Sequence, residues 1–203
     1  MKKIDLKKEL KDLYNPSSKE IAIVEVPKMN FLMIDGAGDP NTAKEYKDAV
    51  DALFSLSYTL KFMIKKTKDF DYVVMPLEGL WWTDDMAKFA EDKNLWKWTA
   101  MIMQPKKVTE EAVEMAIDEL NKRKKLVPLS KIRFESFHEG TAAQIMYFGS
   151  FSDEGPTIQK IHDFIKQHKG TLVGKHHEIY LSDPRRVAPE NLKTILRQPM
   201  KTS

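Results

Sequence analysis

Two glutamates fall inside the most apolar and aromatic strands this chain can form. Glu78 lies in MPLEGLWW (Met75 to Trp82) and Glu178 in HHEIYLSDPRR (His176 to Arg186). A carboxylate in such a strand is costly when buried without a partner. Any fold of the sequence must therefore give each one a structural partner or a chemical task. Trp81, Trp82, Trp96 and Trp98 crowd the same region. They supply flat, polarizable surface suited to packing a core or gripping a flat or cationic ligand.

The 203 residues suffice for one substantial core, or for two small halves sharing one. A hydrophobic fraction of 42% argues against wholesale disorder. The net charge of +3 is spread along the chain and is too small to argue for nucleic acid. The absence of cysteine excludes disulfides, thiolate metal sites and a cysteine nucleophile. MKKIDLKKEL lacks the apolar core of a secretory signal, and no apolar run reaches the roughly 18–20 residues needed to span a bilayer. A soluble cytoplasmic protein without a membrane partner is expected.

Periodicity predicts a short amphipathic helix at 3–14, ended by Asn15-Pro16. Extended chain follows at 20–35, broken at Pro27, and Gly36 to Pro40 supplies a turn. A long helix is predicted over 43–66, with Tyr46, Val50, Leu53, Phe54, Ser57, Leu60 and Ile64 on one face. Strands are expected at 72–82 and 95–104, joined by a charged connection at 84–94. A helix then begins at Thr109, with Lys122 to Lys125 complementing its C-terminal dipole. Strands at 132–138 and 142–151, a helix opened by Asp153 to Pro156, a last strand at 171–182 and a short closing helix around Leu192, Ile195 and Leu196 complete the reading. The class is α+β. The stretch 20–65 matches 131–168 in pattern, which points to an internal duplication around a pseudo-two-fold axis.

Alternation in the last predicted strand sets Gly174, His176, Glu178 and Tyr180 on one face and Val173, His177, Ile179 and Leu181 on the other. The Glu178–Tyr180 pair can aim both polar tips into one cavity, as a general base on water or as the counter-charge for a cation. The bland alternative is a carboxylate tied to a lysine or arginine. Glu78 poses the same question, with Gly79 allowing close backbone approach. Trp81 and Trp82 point to opposite faces, and each ring can equally be ordinary core.

His176 and Glu178 could share an ion, but no H-E-x-x-H spacing or third ligand accompanies them, so no metal is expected. Nothing resembles a nucleotide-binding loop or a serine-hydrolase elbow, and no cofactor is expected. No DNA- or RNA-binding motif accompanies Lys122 to Lys125 or Arg185-Arg186.

In PLEGLWW, WKWTAMIMQP, HHEIYLSDPRR and LKTILRQP, the chain resembles the GyrI-like small-molecule-binding family. That family is related to the effector domains of multidrug-responsive transcription regulators and to DNA gyrase inhibitory protein. The resemblance implies duplicated βαββ units with pseudo-two-fold symmetry enclosing a ligand groove. On it, residues 1–203 form a single ligand-binding domain, with a short N-terminal helix at 1–15 and halves at about 20–105 and 130–203. It also implies a late-strand glutamate deep in an aromatic pocket that attracts cationic, lipophilic ligands, and Glu178 occupies the matching position. Some stand-alone relatives are hydrolases that open the strained cyclopropane of DNA-alkylating natural products. The first 20 residues are too short for a DNA-binding region, so a transcription regulator acting alone is not expected.

The resulting expectation is a site floored by Glu178, with Tyr147 or Tyr180 assisting. Trp81 or Trp82, Trp98 and Tyr180 line it, and Glu78 and His176 are further ligand-binding candidates. The partner is a lipophilic small molecule, either hydrolysed by addition of water or held without reaction. A gyrase-inhibitor-like interaction role is a third reading.

Overall fold

The computed structural model describes residues 3–67, 70–84, 92–123 and 127–202. A two-residue strand β1 (Lys3–Ile4) precedes two single-turn helices, α1 (Leu6–Glu9) and α2 (Lys11–Tyr14). Next come β2 (Ala22–Val26), β3 (Met29–Ala37), the long α3 (Lys44–Thr67), β4 (Asp71–Tyr72) and β5 (Leu77–Trp82). After β6 (Lys97–Gln104) the chain forms α4 (Glu110–Arg123), β7 (Arg133–Phe137), β8 (Gly140–Phe148) and α5 (Gly155–Gln167). It closes with β9 (Gly170–Leu172), β10 (His176–Tyr180) and β11 (Lys193–Thr202). This is the α+β class expected from the pattern. Most of the predicted connection at 84–94, together with Lys124 and Lys125, lies outside the described residues.

The chain divides into two compact units. One comprises Met1–Leu6, Met29–Leu77 and Trp82–Phe137; the other comprises Lys7–Lys28, Glu78–Trp81 and His138–Ser203.

In the first unit, β6, β3 and β7 form an antiparallel ribbon in that order, and β1 pairs with β4 in parallel. Helix α3 covers β3 and β6 with a stripe of Ala49, Ala52, Leu53, Leu56, Leu60 and Ile64. Each large aliphatic fully buried there stabilises by about 1.5–3 kcal/mol. The stripe is rotated from the predicted face: Ala49 and Leu56 are buried, while Val50 and Phe54 are only half-buried. Trp98 of β6 lies opposite Gly36 of β3 and meets the Tyr46 ring edge-on, with centroids 5.0 Å apart. A Cβ on Gly36 would stand 2.2 Å from the Trp98 indole. Glycine is required there by the bulk of the ring.

In the second unit the strand order is β2, β8, β11, β10, β5, and β9 joins the far end of β11. Helix α5 covers one face, placing Ile161 and Ile165 against Ala143 and Ile145 of β8 and Leu196 and Met200 of β11. Two expectations are corrected here. The predicted strand at 171–182 is two strands, because Gly174 turns with φ of +64°. The predicted closing helix is β11, hydrogen-bonded to β8, β9 and β10. Ile195 and Leu196 point to opposite faces of a strand buried on both sides, so their spacing in sequence imitates a helix.

Gly36→Ala should lower the stability of the protein by about 1–3 kcal/mol through overpacking against Trp98. The urea unfolding midpoint measures this, and an unchanged midpoint would contradict the packing described.

Candidate functional site

Strand β10 sorts its polar residues by pleat, because neighbours in a strand face opposite ways. His176, Glu178 and Tyr180 share one face. Glu178 is 9% exposed. Its Oε2 accepts a hydrogen bond from the Tyr180 hydroxyl at 2.8 Å, and that hydroxyl accepts one from the Trp81 indole N–H at 3.0 Å. Oε1 lies 3.3 Å from His176 Nε2. Among the described residues no lysine or arginine approaches the Glu178 carboxylate. The Phe151 ring meets Tyr180 edge-on, with centroids 5.5 Å apart. The result is a buried carboxylate steadied by neutral donors and bordered by aromatic rings. Chemically it can accept a proton from water or serve as counter-charge to a cation.

The opposite face carries a ladder of charge across the same strands. Glu78 is 0% exposed; it accepts from the Tyr14 hydroxyl at 2.8 Å and meets His177 Nε2 at 3.0 Å. His177 Nδ1 lies 2.9 Å from Glu139, whose other oxygen accepts from Arg197 Nη1 at 3.0 Å. Arg197 also donates to Gln144 Oε1 at 2.9 Å and to the Leu13 carbonyl at 2.8 Å. Burial alone would push the His177 imidazole down, but Glu139 and then Glu78 outweigh it and hold the pKa at about 9. Burial would likewise raise Glu139, yet His177 and Arg197 hold it at about 2. Burial, then Glu78, raises the Tyr14 phenol well above its ordinary range. Two carboxylates face two cations, so the ladder closes on itself without net charge.

The expected site residues are thus divided. Glu178, Tyr180, His176 and Trp81 come together. Glu78, a ligand-binding candidate, does not join them: it is fully buried, with both oxygens engaged within the ladder. Tyr147 stands in the same cross-strand row as Tyr180, with Thr194 between them. Its hydroxyl, however, donates to the Ser150 carbonyl at 3.1 Å and not to Glu178. Trp98 is fully buried in the first unit between Gly36 and Tyr46, and Trp82 is half-buried. Sequence reasoning missed Phe151 and the ladder partners Tyr14, Glu139 and Arg197. The contact pairs Tyr14–Glu78 and Glu139–Arg197 join distant stretches of chain and leave no local pattern. Among the described residues no group of His, Asp or Glu side chains is arranged to hold a metal ion, and no helix is long and apolar enough to cross a membrane.

Residues 19–201 match the GyrI-like small molecule binding domain family. Three solved structures from Listeria innocua are similar over 98% of this chain and 100% of their own. An uncharacterized conserved protein is 43% identical with a TM-score of 0.91. Two proteins described as hydrolases are 40% and 41% identical, with TM-scores of 0.86 and 0.87. No protein of curated function matches the chain.

Removing one member of the ladder leaves a buried charge without its partner, so His177→Gln should cost about 3–5 kcal/mol. The pH dependence carries a clear sign. His177 rises from 6.5 unfolded to about 9 folded, so its contribution is complete below pH 6.5 and is lost as pH rises through 9. Glu139 falls from 4.5 to about 2, so its contribution is complete above pH 4.5 and is lost as pH falls through 2. Urea titrations of the wild type should show stability declining between pH 6.5 and 9. That decline should be missing from His177→Gln.

Proposed function

Because the chain belongs to the GyrI-like small molecule binding domain family, we propose that Glu178 is the polar floor of its ligand site and that the site hydrolyses strained, cyclopropane-bearing electrophiles. The observation that carries this reading is the setting of the Glu178 carboxylate. It is buried, aligned by Tyr180 and Trp81, and has no lysine or arginine as counter-ion among the described residues. The 40% and 41% identity to two Listeria innocua proteins described as hydrolases favours catalysis over simple retention.

In the proposed reaction a flat, lipophilic guest stacks against aromatic side chains and water is largely excluded. One water remains within reach of Glu178. Its oxygen bonds to the electrophilic ring carbon as the strained carbon–carbon bond breaks. The released electron pair passes to the electron-accepting group that activates the ring. Glu178 takes one proton from the water and then gives it up to the acceptor, directly or through solvent, so the carboxylate is regenerated and the net change is addition of one water. Ring strain supplies the driving force, and base catalysis of about 10²–10⁴-fold is sufficient assistance. Tyr180 positions the base by donating to Oε2, which leaves Oε1 as the oxygen free of that bond.

Incubation with a cyclopropane-bearing alkylator, followed by mass spectrometry, tests the proposal. A water adduct forming faster than in buffer supports hydrolysis, whereas unchanged compound retained on the protein assigns sequestration instead. Glu178→Gln should lower turnover by about 10²-fold or more while leaving retention of aromatic ligands largely intact. Unchanged turnover in that variant would remove Glu178 from the mechanism.

A further inference from the structure

Two adjacent histidines of β10 are in opposite circumstances. Both ring nitrogens of His177 are engaged, by Glu78 and Glu139. His176, on the Glu178 face, is 3% exposed, and neither of its ring nitrogens has a hydrogen-bond partner. Buried polar side chains without partners are uncommon and ask for an explanation. This imidazole stands 3.3 Å from Glu178 Oε1, the oxygen that Tyr180 does not hold.

We propose that His176 determines the specificity of the Glu178 site by setting its charge, so that selection of cationic guests depends on the protonation of this imidazole. The proposal rests on the reading of Glu178 as the floor of the ligand site. With His176 neutral, the carboxylate keeps its full charge and favours a lipophilic cation. With His176 protonated, an imidazolium at 3.3 Å becomes an internal counter-ion, and a cationic guest loses its advantage over a neutral one. His176 acts through Glu178 and is a positioning residue in this sense; its own burial keeps it from presenting a face to the guest.

The surroundings allow the imidazole to act alone. On its own strand it faces Glu178, with Tyr180 beyond. From α5 it faces His162, which has Lys166 and Asp163 beside it and Gln198 of β11 close by. Burial first, then the charges of His176 and Lys166, hold the His162 pKa below its ordinary value of 6.5. Imidazole is a side chain able to gain or lose a proton in the physiological range, which is what a switchable counter-charge requires. Proton and cation then compete for one carboxylate, and the coupling must be reciprocal: binding of the cation expels the proton.

Calorimetric titration with the flat cationic dye methylene blue and the neutral dye Nile red tests this. The affinity of the wild type for methylene blue should fall about tenfold between about pH 8 and pH 5.5, with Nile red unaffected. Repeating the titration in buffers of different ionisation enthalpy should show proton release on methylene blue binding. His176→Gln should bind methylene blue with a flat pH profile and release no proton, while His162→Gln keeps the wild-type slope. Should His176→Gln fail to fold, Glu178→Gln serves: it should treat the two dyes alike at both pH values. A flat wild-type profile, or the full slope surviving in His176→Gln, overturns the proposal while leaving Glu178 as the ligand site. Failure of both dyes to bind at either pH overturns that reading, and this proposal with it.

Discussion

Glu78, His177, Glu139 and Arg197 have all been withdrawn from water, and the cost of doing so is recovered only within their own row. Each carboxylate lies between a cation and a second donor or cation, and each cation meets a carboxylate. A row of this kind adds little to stability compared with well-packed apolar side chains, but it tolerates almost no rearrangement. It ties together β5, β10 and β11. Through the Leu13 carbonyl and the Tyr14 hydroxyl it also ties down the segment that includes α2. Shifting β10 by one residue would carry His177 to the wrong face and drive Glu178 into the ladder. The placement of Glu178 on the opposite face is therefore set by its neighbour in the strand.

The two faces of one short strand thus differ in their chemistry. On the ladder side charge is balanced internally and every group is matched. On the other side the Glu178 carboxylate accepts from the Tyr180 hydroxyl, and the basic group beside it among the described residues is an imidazole with no hydrogen bond of its own. The two carboxylates differ here in what surrounds them, because both residues are glutamates in apolar strands and both are buried.

That difference was only half legible in the sequence. Alternation within HHEIY placed His176, Glu178 and Tyr180 together, since the information is local and strands have a fixed period. The long helix was equally plain, although its buried stripe is turned relative to the predicted one. Glu78 looked like the twin of Glu178, because Tyr14 and His177 lie 64 and 99 positions away. Strand β11 was disguised for a related reason. A strand covered on both faces shows no alternation, and its apolar run fits a helix equally well. Trp98 and Trp81 could not be told apart by composition. One fills the space above Gly36, and the other donates to Tyr180.

The Tyr180 hydroxyl receives a hydrogen from Trp81 and gives its own to Glu178. A phenol O–H usually has a rotor that can swing between partners. Engaged on both sides, this one is restrained between Trp81 and Glu178. A donor held in this way needs no turning to act on the carboxylate beside it, which is the economy that preorganised polar groups exploit.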